Sequence, residues 1–146
     1  MQLSNSFTLD EFVRSQTAAR RGIDNTPPEI VTLRLQALCA NVLEPLRALA
    51  QAPVHITSGY RSPRLNRAIG GASTSQHCLG EAADLMIPGM SIEEIFNLVR
   101  KSDLDFDQLI EEGGQWIHIS YTTRRPNRRE CLRARFINGK AVYQAA

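Results

Sequence analysis

Apolar residues recur at two different spacings along this chain of 146 residues, and the spacing changes near its middle. The first half carries helix signals. Thr8-x-x-Glu11 reads as a capping box, predicting a short helix from there to about Gly22. Thr26-Pro27-Pro28-Glu29 reads as a second box with proline at the first helical position. That helix is expected to run to about Ala50, with Ile30, Leu33, Ala37 and Leu38 as its apolar face. Pro45 should kink or break it.

The second half carries strand signals. VHIT is a short strand ending at Gly59, and Ser62-Pro63 opens a short helix that Gly70-Gly71 closes. ADLMI is compact and apolar enough for a buried strand, and Ser91-x-x-Glu94 caps a helix to about Lys101. FDQLIEE, GGQ and WIHISY then read as a hairpin. RARFINGKAVYQ reads as a second hairpin, with Asn138-Gly139 in a type I′ turn. Helices come mostly first and strands mostly later. This predicts an α+β fold, N-terminal helices packed on a mainly antiparallel sheet, in one domain spanning 1–146.

Composition narrows the partners. Hydrophobic residues are 42% and charged residues 22%, a globular balance, and the net charge of +2 points to no partner. Tyr121 to Lys140 holds seven basic residues (Arg124, Arg125, Arg128, Arg129, Arg133, Arg135, Lys140) and one acid, Glu130. Such a run is either an anion-facing edge or, more commonly, a solvated loop. No nucleic-acid motif accompanies it, so no nucleic-acid partner is expected. Cys39, Cys78 and Cys131 are odd in number and lack CxxC spacing, which argues for reduced thiols. No apolar run reaches the roughly 20 residues a membrane span needs. The start, MQLSNSFTLDEF, has no basic segment followed by a long apolar one, so a cytoplasmic protein is expected, one that reaches any external target only on release.

The chemistry gathers in the middle third and in the WIHIS strand. Of three histidines, His77 lies seven residues before Asp84, and His118 sits mid-strand. Two imidazoles and a carboxylate suit a zinc site with three protein ligands and one open position. His55 stands in a strand with no acidic neighbour and is read as an ordinary histidine. Cys78 adjoins His77, but adjacent side chains diverge, so it is read as a small buried thiol.

Ser75-x-His77-x-x-Gly80-x-Ala82-x-Asp84, then Trp116-Ile117-His118, with Ser58-Gly59-Tyr60-Arg61-Ser62 upstream, forms an ordered pattern. It resembles the zinc D-Ala-D-Ala carboxypeptidases and phage L-alanyl-D-glutamate endolysins, which share the Hedgehog/DD-peptidase fold. The resemblance covers roughly Phe7 to Tyr121. It implies zinc held by His77, Asp84 and His118, polarising a scissile carbonyl and lowering the pKa of its water toward about 7. It implies that Arg61 clamps a substrate carboxylate or developing oxyanion. Ser75 would donate a hydrogen bond to substrate or cap the zinc loop, and Trp116 would line the pocket against substrate. The implied partner is the stem peptide of peptidoglycan, in a phage or prophage lysis setting.

One feature departs from the pattern. Relatives carry their base in ExxH or HxH, but here Gln115 and Trp116 fill those positions. Neither accepts a proton, which leaves room for a wall-binding protein that does not cut. The search for a base therefore moves to Glu111 and Glu112. With a three-residue GGQ turn, Glu112 opposes Trp116 and faces the zinc; with a two-residue GG turn, Glu111 does. Relatives with an FDQLIxE…WxHxS run place their glutamate where Glu112 stands, which favours Glu112.

Overall fold

The computed structural model describes residues 1–146. Six α-helices and one six-stranded sheet form an α+β fold. The helices are α1 (Leu9–Val13), α2 (Gln16–Arg21), α3 (Glu29–Leu38), α4 (Glu44–Ala50), α5 (Pro63–Ala68) and α6 (Ile92–Arg100). The strands are β1 (His55–Ser58), β2 (Ala82–Met86), β3 (Gln108–Glu112), β4 (Trp116–Ser120), β5 (Glu130–Ile137) and β6 (Lys140–Ala145). A single 3₁₀ turn, Gln76–Leu79, precedes β2.

The N-terminal helices differ from the simple pattern in three ways. The first expected helix is two. Glu11 accepts the Thr8 N–H at 2.7 Å as expected, but Arg14 turns extended, and Ser15 starts α2 by accepting the Ala18 N–H. The Thr26 capping box does not form: Pro28 is the N-cap of α3, and no side chain caps it. Of the expected apolar face, Leu38 is buried as expected, but Ile30 and Leu33 are not. Both lie half out in solvent, while Val31, Leu35, Leu38 and Val42 are buried. The spacing of Val31, Leu35 and Leu38 is as helical as that of Ile30 and Leu33, so periodicity alone does not choose between the two stripes.

The regular α-helix is interrupted just ahead of Pro45, as a proline there leads one to expect. A wide π turn over Cys39–Leu43 precedes it, with the Glu44 N–H reaching back to Cys39. Pro45 then falls in the first turn of α4.

The sheet order is β1-β2-β4-β3-β5-β6. Four pairings are antiparallel; β3–β5 is parallel. One face of the sheet packs on the helices. Ala83, Leu85, Leu109, Ile117 and Ile119 point there, into a core with Phe12, Leu35, Leu43, Phe96 and Phe106. Strand alternation sends Asp84, Ile110, Glu112, Trp116 and His118 to the other face. The β3–β4 turn is the three-residue one: Glu112 pairs with Trp116 and Ile110 with His118. The β5–β6 turn has two residues, Asn138 (φ 53) and Gly139 (φ 76), both positive as type I′ requires.

Candidate metal centre

Three elements bring the ligand set together. Asp84 on β2 and His118 on β4 are direct cross-strand partners. His77 comes from the 3₁₀ turn, which Ser75 caps by accepting the His77 N–H at 3.2 Å. Gly80 ends that turn at φ 76 and lies so close to α3 that a Cβ there would stand 2.8 Å from Val31 Cγ1. This contact seats the turn on the helix layer.

The donor atoms of His77, Asp84 and His118 all lie within 4.8 Å of one another. Asp84 Oδ1 is 3.3 Å from His77 Nε2 and 3.2 Å from His118 Nδ1. Ligands about 2.0–2.2 Å from a tetrahedral ion stand about 3.4 Å apart, so the spacing suits zinc. The polarity fits too. His77 Nδ1 lies 2.7 Å from the Gly59 carbonyl, which only accepts, so that nitrogen carries the proton. In a neutral ring, Nε2 then presents a lone pair to the Asp84 carboxylate. A lone pair facing a carboxylate calls for a shared cation. Burial works against ionisation of Asp84, but charge and hydrogen bonds from His77 and His118, when those rings are protonated toward it, would outweigh it and hold its carboxyl below the usual range.

The triad opens into a cavity of about 300 Å³ whose walls include Arg61, Ser75, Glu112, Trp116 and Tyr143. Glu112 is only 8% exposed. Burial pushes its carboxyl above the usual range, His118 pulls it back, and the charge of Asp84 adds to the rise. A divalent cation in the triad pulls in the same direction as His118.

Glu111 points to the helix side, where it accepts from Arg133 at 3.1 Å, Arg135 at 3.0 Å and the Gly114 N–H. Burial opposes its ionisation, but these donors hold it below the usual carboxylate range.

Arg61 rides on a turn that the sequence alone does not show to be stapled. Asn25 Oδ1 accepts the Ser62 N–H at 2.7 Å, and Asn25 Nδ2 donates to the Tyr60 carbonyl at 3.1 Å. The Tyr60 N–H reaches Phe12, and the Arg61 N–H reaches His77. The guanidinium forms no salt bridge: its NH2 group donates weakly to Ser75 Oγ at 3.4 Å, and its Nε is buried without a partner. Trp116 stacks at a tilt on Phe136, with ring centroids 6.3 Å apart. His55 is exposed at the start of β1 and lines a larger cavity of about 540 Å³ that also reaches Arg61 and holds no ligand triad. Cys78 stays outside the triad, and all three thiols are free.

The basic run is not a solvated loop. Arg124 pairs with buried Glu81 at 2.8 Å, Arg125 and Arg128 with buried Asp107 at 2.7 and 2.8 Å, and Arg133 and Arg135 with Glu111. Arg129 donates to the Leu104 and Ser102 carbonyls. Its acidic partners lie far back in the chain, where local composition cannot show them.

His77, Asp84 and His118 thus form a group that could hold a metal ion, and the cavity beside it also takes in Glu112 and Arg61, neither of them in a salt bridge. Residues 5–120 match the family model described as Peptidase M15. The chain belongs to the M15 peptidase family. Peptidases of this family depend on zinc, and the triad supplies the residues that would hold it. The curated proteins yield no match to this chain. No helix is long and apolar enough to cross a membrane.

Proposed function

We propose that this M15 peptidase hydrolyses peptide bonds in peptidoglycan stem peptides, as a D-Ala-D-Ala carboxypeptidase or an L-Ala-D-Glu endopeptidase, in phage or prophage lysis. The observation that carries the reading is a shared cavity: Glu112 and Arg61, neither in a salt bridge, open into the space that holds the triad. Zinc held by His77, Asp84 and His118 would polarise the scissile carbonyl and acidify a water. Glu112 accepts the proton of the attacking water and delivers it to the leaving amine. Arg61 pairs with a substrate carboxylate or the developing oxyanion, a task that fits its missing carboxylate partner. Ser75 accepts from the His77 N–H, so its own hydroxyl proton remains for the substrate backbone. Trp116 forms the wall.

The test is mass spectrometry of purified muropeptides incubated with zinc-loaded protein. Loss of terminal D-alanine assigns the carboxypeptidase, and a cut between L-alanine and D-glutamate assigns the endopeptidase. Intact muropeptides, with binding to sacculi retained, would replace the enzyme with a wall-binding protein.

A further inference from the structure

Behind His118 stands a tier of polar side chains that the proposed chemistry does not use. His118 turns Nδ1 toward Asp84, and its far nitrogen, Nε2, lies 3.2 Å from Gln76 Oε1. The Gln76 amide nitrogen donates to Asp107 Oδ2 at 3.0 Å. Asp107 is fully buried and accepts from both side-chain forks, Arg125 at 2.7 and 3.0 Å and Arg128 at 3.0 and 2.8 Å. The Arg128 N–H adds a further bond at 3.1 Å. Burial opposes the charge on Asp107, yet these donors outweigh it and keep the carboxyl well below the usual range.

The direction of every bond in this chain is forced. Arginine only donates and an ionised carboxylate only accepts. The end of the Gln76 side chain that meets Asp107 must therefore be its NH₂ group, and the carbonyl must face His118. A carbonyl only accepts, so in the neutral ring His118 Nε2 carries the proton and Nδ1 is left with its lone pair. We propose that Gln76, anchored by Asp107 and its two arginines, is a positioning residue that holds His118 in the orientation and tautomer needed to present Nδ1 to the metal. The inference rests on the reading of the triad as a zinc site. It gives Arg125 and Arg128 a purpose two residues removed from His118, one the local sequence does not reveal.

The first test needs no variant and no metal. Nitrogen-15 spectra of the metal-free protein, at a pH where the ring is neutral, should show His118 with a pyrrole-type Nε2 and a pyridine-type Nδ1. A proton on Nδ1 would overturn the proposal. The second test is Gln76→Met, which keeps the length and removes both hydrogen bonds. It should melt close to wild type, mix the His118 tautomers, and bind zinc about 10–100-fold more weakly in competition with a chromophoric chelator. Its cobalt-loaded form should show a shifted visible spectrum. Arg125→Met should weaken zinc in the same direction, and by less in the Gln76→Met background than alone, because the two act through one chain. Zinc affinity and tautomer unchanged in Gln76→Met would sink the positioning role. A wild type that binds no zinc would instead sink the reading of the triad, and the tautomer measurement would still decide the proposal's first half.

Discussion

At the residue scale, two adjacent glutamates of near-identical composition and burial have opposite surroundings. Glu112 has a histidine and an aspartate for neighbours and no salt bridge, whereas Glu111 is satisfied by two arginines and a backbone N–H. The difference is one step of strand alternation. Glu112→Gln should keep fold and zinc but lower the rate on muropeptides by about 10²–10⁴-fold. Glu111→Gln should leave the rate per folded molecule near wild type. It should nonetheless cost about 1–3 kcal/mol of stability, because charged donors lose their acceptor. Rates normalised to zinc content, alongside denaturant melts, separate the two. A rate defect in Glu111→Gln at full zinc occupancy would contradict this division.

At the scale of elements, the site depends on turns pressed against helices. Gly59 has no room for a side chain: a Cβ would stand 2.7 Å from both Cα and the carbonyl oxygen of Phe12 in α1. These are backbone atoms, so the conflict is relieved only by parting β1 from α1. The Gly59 carbonyl is also the acceptor that fixes the His77 ring. Gly59→Ala should therefore cost about 1–3 kcal/mol and weaken zinc binding together, read by melting and chelator competition. Destabilisation with unchanged zinc affinity would show that the turn relaxes without moving His77. The elements also mark what sequence can and cannot carry. The Asn138-Gly139 turn depends on local chemistry and was legible, whereas the choice of the three-residue GGQ turn over GG and the grouping of His77, Asp84 and His118 leaned on the family resemblance. The buried stripe of α3 was not legible, because two stripes had equal helical spacing. The parallel β3–β5 pairing and the Asn25 staple were not either, since each joins segments distant in the chain. Gln76 stood in plain view between Ser75 and His77, but nothing local named Asp107 as its partner.

At the scale of the whole molecule, the segment after residue 120 lies beyond the family match, yet it is tied to the rest by buried charge. Its arginines close over Glu81, Asp107 and Glu111, whose side chains are at most 3% exposed. Such pairs contribute only while the acids are ionised. Asp107 and Glu111 have folded-state pKa values below their ordinary ones. A depressed folded pKa means the unfolded chain takes up protons first. The stability they supply is thus fully present above the ordinary carboxylate range, about pH 4–4.5, and is lost as pH falls below it toward the lowered folded values. Melting temperature of the metal-free protein should hold steady above that range and drop through it. Asp107→Asn should be less stable near neutrality, because Arg125 and Arg128 lose a charged acceptor, and its acid decline should be shallower. The difference between wild type and variant should shrink as pH falls. A gap that stays constant from pH 7 to pH 3 would mean that Asp107 supports the tail by shape and packing, with its charge contributing nothing.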